Sequence, residues 1–230
     1  MTLNCRLQGR HQNICSSVQF RPKVPWDIVS GALDSTLVSW DFSTSKPKTI
    51  YEIGLYEDTS TNSCATTTSG SQALNPPLVH SVSFSSDARY VVAGLGDSTI
   101  SIYPYGAVKP AIRFPAHNAA VCQVRAMNVN DQDEYMVYSA GNDSKLKLWK
   151  VCIPYQGNNK SNKRKGNRSK PATTKSKSVH KPTNTESSRP SHILHLAIKL
   201  ENKPNWIVPI SDGRVALADT SNSVKIYSTT

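Results

Sequence analysis

The sequence predicts an all-β fold, a ring or array of about four small antiparallel sheets. Three observations carry that expectation. An eleven-letter pattern recurs as SGALDSTLVSW at 30–40, AGLGDSTISIY at 93–103 and SAGNDSKLKLW at 139–149, with a worn copy, LADTSNSVKIY, at 217–227. Each copy reads as a short strand, a tight turn rich in Gly, Ser, Asn or Asp, and an alternating strand that ends on Trp or Tyr. In the first three copies an Asp stands six residues before that aromatic. A small unit repeated in this way buries its apolar faces only against its own copies, and such folds usually bind rather than catalyse.

Each unit is expected to hold four strands, a to d, running outward from a common axis. In the first unit they fall at 13–20, 27–31, 36–41 and 47–53, and in the second at 78–84, 90–94, 99–103 and 109–114. The third unit reads as 121–127, 135–139, 145–149 and 193–200. In its strand c, Leu146, Leu148 and Val151 alternate with Lys145, Lys147 and Lys150, with a slip at the end. The fourth unit keeps a at 204–210, b at 214–218 and c at 223–228, with no d of its own. Residues 2–8, TLNCRLQ, read as a d-type strand ahead of His11. The units thus occupy about 11–53, 75–114, 117–200 and 201–230.

Two inserts interrupt them. Residues 54–74 form a Thr/Ser-rich loop between the first and second units and show no chemistry. Residues 152–190 hold ten Lys or Arg and a single acid, Glu186, so they carry +9 of the net charge of +11. Almost nothing apolar follows Tyr155 in that segment, so burial cannot offset its ordering entropy and disorder is expected. It falls between strands c and d of the third unit. A loop closed by paired strands tolerates length, because closure entropy grows slowly. Three readings stay open for it: a solvated spacer, a nuclear-import signal around Lys163, Arg164 and Lys165, or nonspecific nucleic-acid contact. No aromatic lies between 156 and 190, so base stacking is not supported.

Five cysteines, Cys5, Cys15, Cys64, Cys122 and Cys152, are odd in number and form no CxxC, which fits a reducing compartment and a cytoplasmic or nuclear location. No stretch nears 18 apolar residues, so no membrane partner is expected. His192 and His195 lie three apart on one strand, hence on opposite faces, which does not make a metal site. The chain has no GxSxG elbow, no GxxxxGK[ST] loop and no HExxH pair. No catalytic, cofactor-binding or metal residues are therefore assigned, and no small-molecule substrate is expected.

The repeats resemble those of the WD-repeat β-propeller family. Trp40-Asp41 spell the dipeptide that names it, and Trp149-Lys150 is a variant. His11 precedes Asp34 by 23 residues and His117 precedes Asp143 by 26, so a His opens each of these units. The runs HQNICSSVQFRP (11–22), ALNPPLVHSVSF (73–84) and NWIVPI (205–210), with the basic insert, narrow the resemblance to the C-terminal part of one member. The resemblance implies a buried hydrogen-bonded tetrad in each unit, made of His11, Ser30, Asp34 and Trp40 in the first and His117, Ser139, Asp143 and Trp149 in the third. In the second unit the matching positions are Asn75, Ala93, Asp97 and Tyr103, and in the fourth only Tyr227 stays, with Ser221 in the Asp place. A Ser/His/Asp set also serves hydrolases, but a catalytic triad has no reason to recur with a repeat.

The family's rings are typically seven-bladed, and four such wedges span roughly 200° of a circle. The resemblance therefore implies that these four blades are an incomplete part of a larger ring. It also implies a protein–protein interaction scaffold, and more narrowly a substrate-receptor subunit that meets the adaptor of a cullin–RING ubiquitin ligase. The Trp-Asp-x-Arg motif of that class is absent: Phe42-Ser43 follow Trp40-Asp41, and Lys150-Val151-Cys152 follow Trp149. The alternative is RNA or chromatin association through the basic insert.

The insert readings separate in cells and in titrations. The import reading expects Lys163→Ala, Arg164→Ala and Lys165→Ala together to move a fluorescent fusion out of the nucleus. The nucleic-acid reading expects log affinity to fall with log salt at about −0.9 per phosphate neutralised, with little sequence preference. Neither effect leaves the spacer.

Overall fold

Four antiparallel sheets stand side by side, and no helix is present among the described residues. The structure is a computed structural model that describes residues 5–54, 75–130, 133–154, 189–210 and 212–229. The first sheet is β1 (Cys15–Phe20), β2 (Asp27–Ala32), β3 (Thr36–Asp41) and β4 (Lys46–Glu52). The second is β5 (Val79–Phe84), β6 (Tyr90–Leu95), β7 (Thr99–Pro104) and β8 (Ile112–Pro115). The third is β9 (Val121–Asn130), β10 (Glu134–Gly141), β11 (Lys145–Cys152) and β12 (Ser191–Lys199). The fourth has three strands, β13 (Pro204–Pro209), β14 (Arg214–Asp219) and β15 (Val224–Ser228). In every sheet the spatial order follows the chain order, so each is a meander. Four such meanders side by side are the arrangement expected of propeller blades.

The b–c turns form because the chain supplies the right polar atoms. Asp34 Oδ1 accepts the Thr36 N–H at 3.0 Å, and Asp97 Oδ1 accepts the Thr99 N–H at 3.2 Å. Between Asp and Thr, Ser35 and Ser98 take φ of +62° and +70°, and Ser144 follows at +55° in the third blade. One residue in the left-handed region turns the chain back tightly enough to pair strands b and c.

The core lies between blades rather than within them. Val29, Leu37 and Tyr51 of the first blade pack on Val79, Val82, Val91 and Tyr103 of the second. Ile100, Ile102 and Phe114 of the second pack on Val121, Val124, Trp149 and Val151 of the third. Leu146, Leu148 and Tyr138 of the third meet Ile207, Val215 and Leu217 of the fourth. Strand c of the third blade therefore does not slip as expected. Leu146 and Leu148 face one neighbour, whereas Trp149 and Val151 face the other; Lys147 shares the Trp149 side, its ammonium donating to Ala116 O at 2.6 Å.

Close approach at each junction depends on a missing side chain. A Cβ on Gly94 would lie 2.9 Å from a methyl of both Val121 and Val124, and one on Gly31 would strike Val79. The third blade has Ala140 at this position, beside Ile207. There the Cys122 thiol is within reach of Ala140 O at 3.0 Å and Pro204 O at 3.2 Å, and burial pushes its pKa up to about 11. Side chains of one strand a also accept the backbone N–H groups of the next: Val82 donates to Ser17 Oγ at 3.0 Å and Val124 to Ser81 Oγ at 3.2 Å.

One expectation fails. The d-type strand expected at 2–8 is not seen at Cys5–Gln8, which pair with no strand, and residues 2–4 lie outside the described residues. Among the described residues β15 has no neighbour beyond β14. Most of the two inserts, 55–74 and 155–188, lies outside the described residues as well.

Gly94→Val should push the second and third blades apart. Overpacking of this kind costs about 1–3 kcal/mol, read as a lower urea midpoint at unchanged slope.

Candidate interaction site

The strand order sends the b–c turns and d–a connections to one face, and the a–b and c–d loops to the other. The two complete His-bearing clusters hold the first face. In the third blade His117 Nδ1 lies 2.9 Å from Asp143 Oδ1, and His117 Nε2 lies 2.8 Å from Ser139 Oγ. Trp149 Nε1 donates to the same hydroxyl at 2.9 Å. A carboxylate only accepts, so Nδ1 carries the proton and Nε2 accepts from the Ser139 O–H. Ser139 is fully buried, which leaves no path for a substrate to its hydroxyl. The trio therefore fills a structural role.

In the first blade His11 Nε2 lies 2.7 Å from Ser30 Oγ, and Trp40 Nε1 donates to that oxygen at 2.8 Å. Here the other ring nitrogen meets Thr36 Oγ1 at 2.9 Å, while Asp34 Oδ2 is 3.4 Å away. Asp34 instead accepts the Thr36 hydroxyl at 2.6 Å, so Thr36 relays the contact. Each Asp also fixes the segment leading into its blade: Gln12 N–H donates to Asp34 at 2.6 Å, and Asn118 N–H to Asp143 at 3.1 Å.

The other two blades replace the missing partners. Asp97 accepts from the Arg113 guanidinium at 2.6 Å, and Tyr103 sits edge-on to Tyr51 with centroids 5.3 Å apart. Ala93 is buried, and Asn75 is exposed. In the fourth blade Asp219 accepts from Ser221 and pairs with Lys225 at 3.0 Å, and Tyr227 packs at the edge of the core.

Burial lowers the His117 pKa below the usual histidine range, against the opposing pull of Asp143. Burial alone would raise Asp143, but the Asn118 N–H and His117 bring it below the ordinary carboxylate value.

On the opposite face a cleft of about 810 Å³ opens between the second blade and its neighbours. Arg21, Arg89, Tyr105, Lys109, Pro154 and Pro190 are among its lining residues. Arg21 donates to Asp27 at 3.1 Å and to Ala88 O at 3.1 Å, with its guanidinium 3.8 Å above the Tyr105 ring. Burial and Asp27 raise the Tyr105 pKa, while Lys48, Tyr105 and Arg21 outweigh burial to lower that of Asp27. Arg89 pairs with Asp87 and with Asp133 at 3.0 Å, and Tyr135 donates to Asp87 at 2.9 Å. These pairs bolt the first blade to the second and the second to the third. None of the thirteen lining residues is Ser, Cys, His, Asp or Glu. The cleft is basic, aromatic and proline-lined.

Pro154 and Pro190 flank the basic segment, so the insert is rooted at this rim. Lys163, Arg164 and Lys165 lie outside the described residues. His192 stacks on Phe114 at 4.0 Å, and His195 is exposed. Among the described residues no three His, Cys, Asp or Glu come together as metal ligands. Sequence reasoning missed Thr36, Arg113 and the cleft. Thr36 had a signal, because Thr99 repeats it two residues after an Asp. Arg113 and the cleft residues lie outside the repeated eleven letters.

The pattern described as "WD domain, G-beta repeat" matches residues 62–103 and 108–150. The chain is 29% identical over 152 residues to a WD repeat-containing protein 53 homolog of Dictyostelium discoideum, covering 63% of this chain and 41% of that protein. It thus spans about two fifths of that relative's length. An 80-residue stretch is 32% identical to the LEC14B protein of Lithospermum erythrorhizon, covering 34% of this chain and 16% of that one. Among solved structures, the crystal structure of RRP9 WD40 repeats is similar at 20% identity and a TM-score of 0.45, over 62% of this chain and 37% of that one.

His117→Ala should lower stability by about 1–3 kcal/mol, because it leaves buried partners unpaired. A depressed histidine pKa also makes the native state favour the neutral ring. Its stabilising effect is then full above the unfolded value of about 6.5 and is lost as pH falls from there through the folded value. The melting temperature should fall from pH 7 to pH 5, and less steeply in His117→Gln.

Proposed function

We propose that this WD-repeat chain is a non-catalytic protein-interaction scaffold whose partner-binding face is the one that carries the basic cleft. The observation that carries this reading is the cleft itself. It joins cationic, aromatic and proline surface, it lacks a nucleophile, and the bolts of Arg21 and Arg89 hold its walls in place. Positive walls favour a partner segment rich in Asp and Glu, and they speed encounter with it.

The finer reading is a substrate-receptor subunit of a cullin–RING ubiquitin ligase, supported by the similarity to WD repeat-containing protein 53. The adaptor contact would not use a Trp-Asp-x-Arg motif within this chain. Phe42 after Trp40-Asp41 packs instead against Phe20 and Trp26, with centroids 5.9 and 5.2 Å apart. In the alternative reading the chain acts on RNA or chromatin through residues 152–190, whose charge of +9 enters at the cleft rim. Either role places the protein in the cytoplasm or nucleus.

Affinity capture with the full chain, after nuclease treatment, separates them. The scaffold reading expects a discrete protein set that includes a cullin–RING adaptor, resists nuclease and falls several-fold with Lys109→Glu. Capture that vanishes with nuclease or with deletion of 156–190, and that ignores Lys109→Glu, supports the nucleic-acid role instead.

A further inference from the structure

Strand d of the second blade is cut short, and the cleft opens beside the gap. β4 pairs along the whole of β3 and β12 along the whole of β11, but β8 pairs only with Thr99–Ile102 of β7. Tyr103 and Pro104 have no strand d beside them, and Pro104 lines the cleft. The chain leaves β7 in a tight turn instead. Ala107 N–H donates to Pro104 O at 2.9 Å, and Gly106 takes a φ of +84°. Gly106 N–H donates to Tyr51 Oη of the first blade at 3.0 Å, and Tyr105 N–H to Arg89 O at 2.8 Å. This wall is therefore in place before any partner arrives. The lining residues run from Arg21 to Pro190 and belong to the first three blades, so residues 21–190 alone set the site.

Backbone pairing offers an occupant little here. Pro104 has no N–H, and its carbonyl already accepts from Ala107. Recognition falls to side chains, and these are of two kinds. The first kind is cationic. Arg21 spends Nε on Ala88 O and Nη1 on Asp27, which leaves Nη2 without a partner among the described residues. Stacking on Tyr105 fixes the plane of that guanidinium. Lys109 is exposed and makes no ion pair among the described residues. No carboxylate lines the cleft, and Asp27, Asp87 and Asp133 behind it are each paired with a cation. The second kind is apolar: Pro104, Pro110, Pro154 and Pro190 present rigid rings to the same space.

We propose that the cleft takes a short extended segment of a partner protein in which an acidic residue stands beside an aromatic one. This rests on the scaffold reading and names what that face recognises. The carboxylate answers Arg21 Nη2 and the Lys109 ammonium. The aromatic ring lies on the proline surface, and a buried aromatic removes about 150–250 Å² of its own area from water. A run of acids alone would satisfy the cations and leave the prolines wet, and a basic segment is repelled. The volume of about 810 Å³ lies in the range of about 300–1,000 Å³ that encloses a small ligand, so the cleft holds a few residues and not a domain. Because the wall is preformed, little ordering on this side opposes binding.

The test is selection from a display library of random short peptides on the full 230-residue chain, with enriched peptides labelled and titrated by fluorescence polarisation. Enriched peptides should pair Asp or Glu with Tyr, Trp or Phe. Changing the acid to its amide, or the ring to Ala, should each weaken binding several-fold. Lys109→Glu and Ala107→Glu should do the same from the protein side, at unchanged melting temperature, because both residues line the cleft outside the core. Added salt should erode the share due to the acid and spare that due to the ring. The selected peptides should also displace proteins captured through this face. No enrichment over the Lys109→Glu chain overturns the proposal, as do peptides without an acid or without dependence on the ring. Capture that is lost with Lys109→Glu but not displaced by the selected peptides overturns this inference and leaves the scaffold reading standing. Capture that ignores Lys109→Glu removes that reading, and this inference with it.

Discussion

Everything in this chain hangs on the contact between one blade's strand a and the next-earlier blade's strand b. A single four-stranded sheet has two faces and too little mass to cover either. Here an aliphatic side chain from strand a of the second, third and fourth blades lies against a Gly or Ala, and the sheets approach closely. Burial of a Val or Leu side chain is worth about 1.5–3 kcal/mol, and each junction buries several. The stability of the array is then a sum over neighbours, and each blade is only as secure as the blades beside it.

Polar chemistry is organised around that apolar seam. The first and third blades satisfy their buried hydroxyl and indole with a His and an Asp. The second uses Arg113 on Asp97 and an aromatic pair in place of the indole bond, and the fourth leaves a Lys–Asp pair near the surface. Different residues answer one requirement, which is that no buried donor or acceptor be left unpaired. At the a–b loops a second layer ties neighbouring blades: Arg21 donates to the Ala88 carbonyl and Tyr135 to the Asp87 carboxylate. The cleft is a by-product of those ties, held open by the groups that join the blades.

The strands were legible because the repeat signals them three times over. Asp, a left-handed Ser and a terminal aromatic mark the b–c hairpin locally, and local signals survive in one sequence. His11 and His117 were legible because each stands a similar distance, 23 and 26 residues, ahead of the Asp of its hairpin. What was hidden depends on neighbours in space. The side of the sheet taken by Val151 follows from which blade it meets, so reading it with Leu146 and Leu148 misplaced it. Arg113 belongs to a strand d that carries no shared letters, and nothing local says that it will find Asp97. The strand expected at 2–8 rested on a d-type reading with no partner to pair with, and Cys5–Gln8 indeed stand unpaired.

Cys122 sits on the seam between the third and fourth blades, its thiol within reach of one carbonyl from each. Burial pushes the pKa of this thiol up to about 11, which disfavours the reactive thiolate at neutral pH. Should the last blade swing away, the same sulfur gains water and its ordinary acidity, and its reactivity rises by orders of magnitude. The seam thus contains its own chemical clock. The rate at which Cys122 is labelled measures how often the fourth blade lets go.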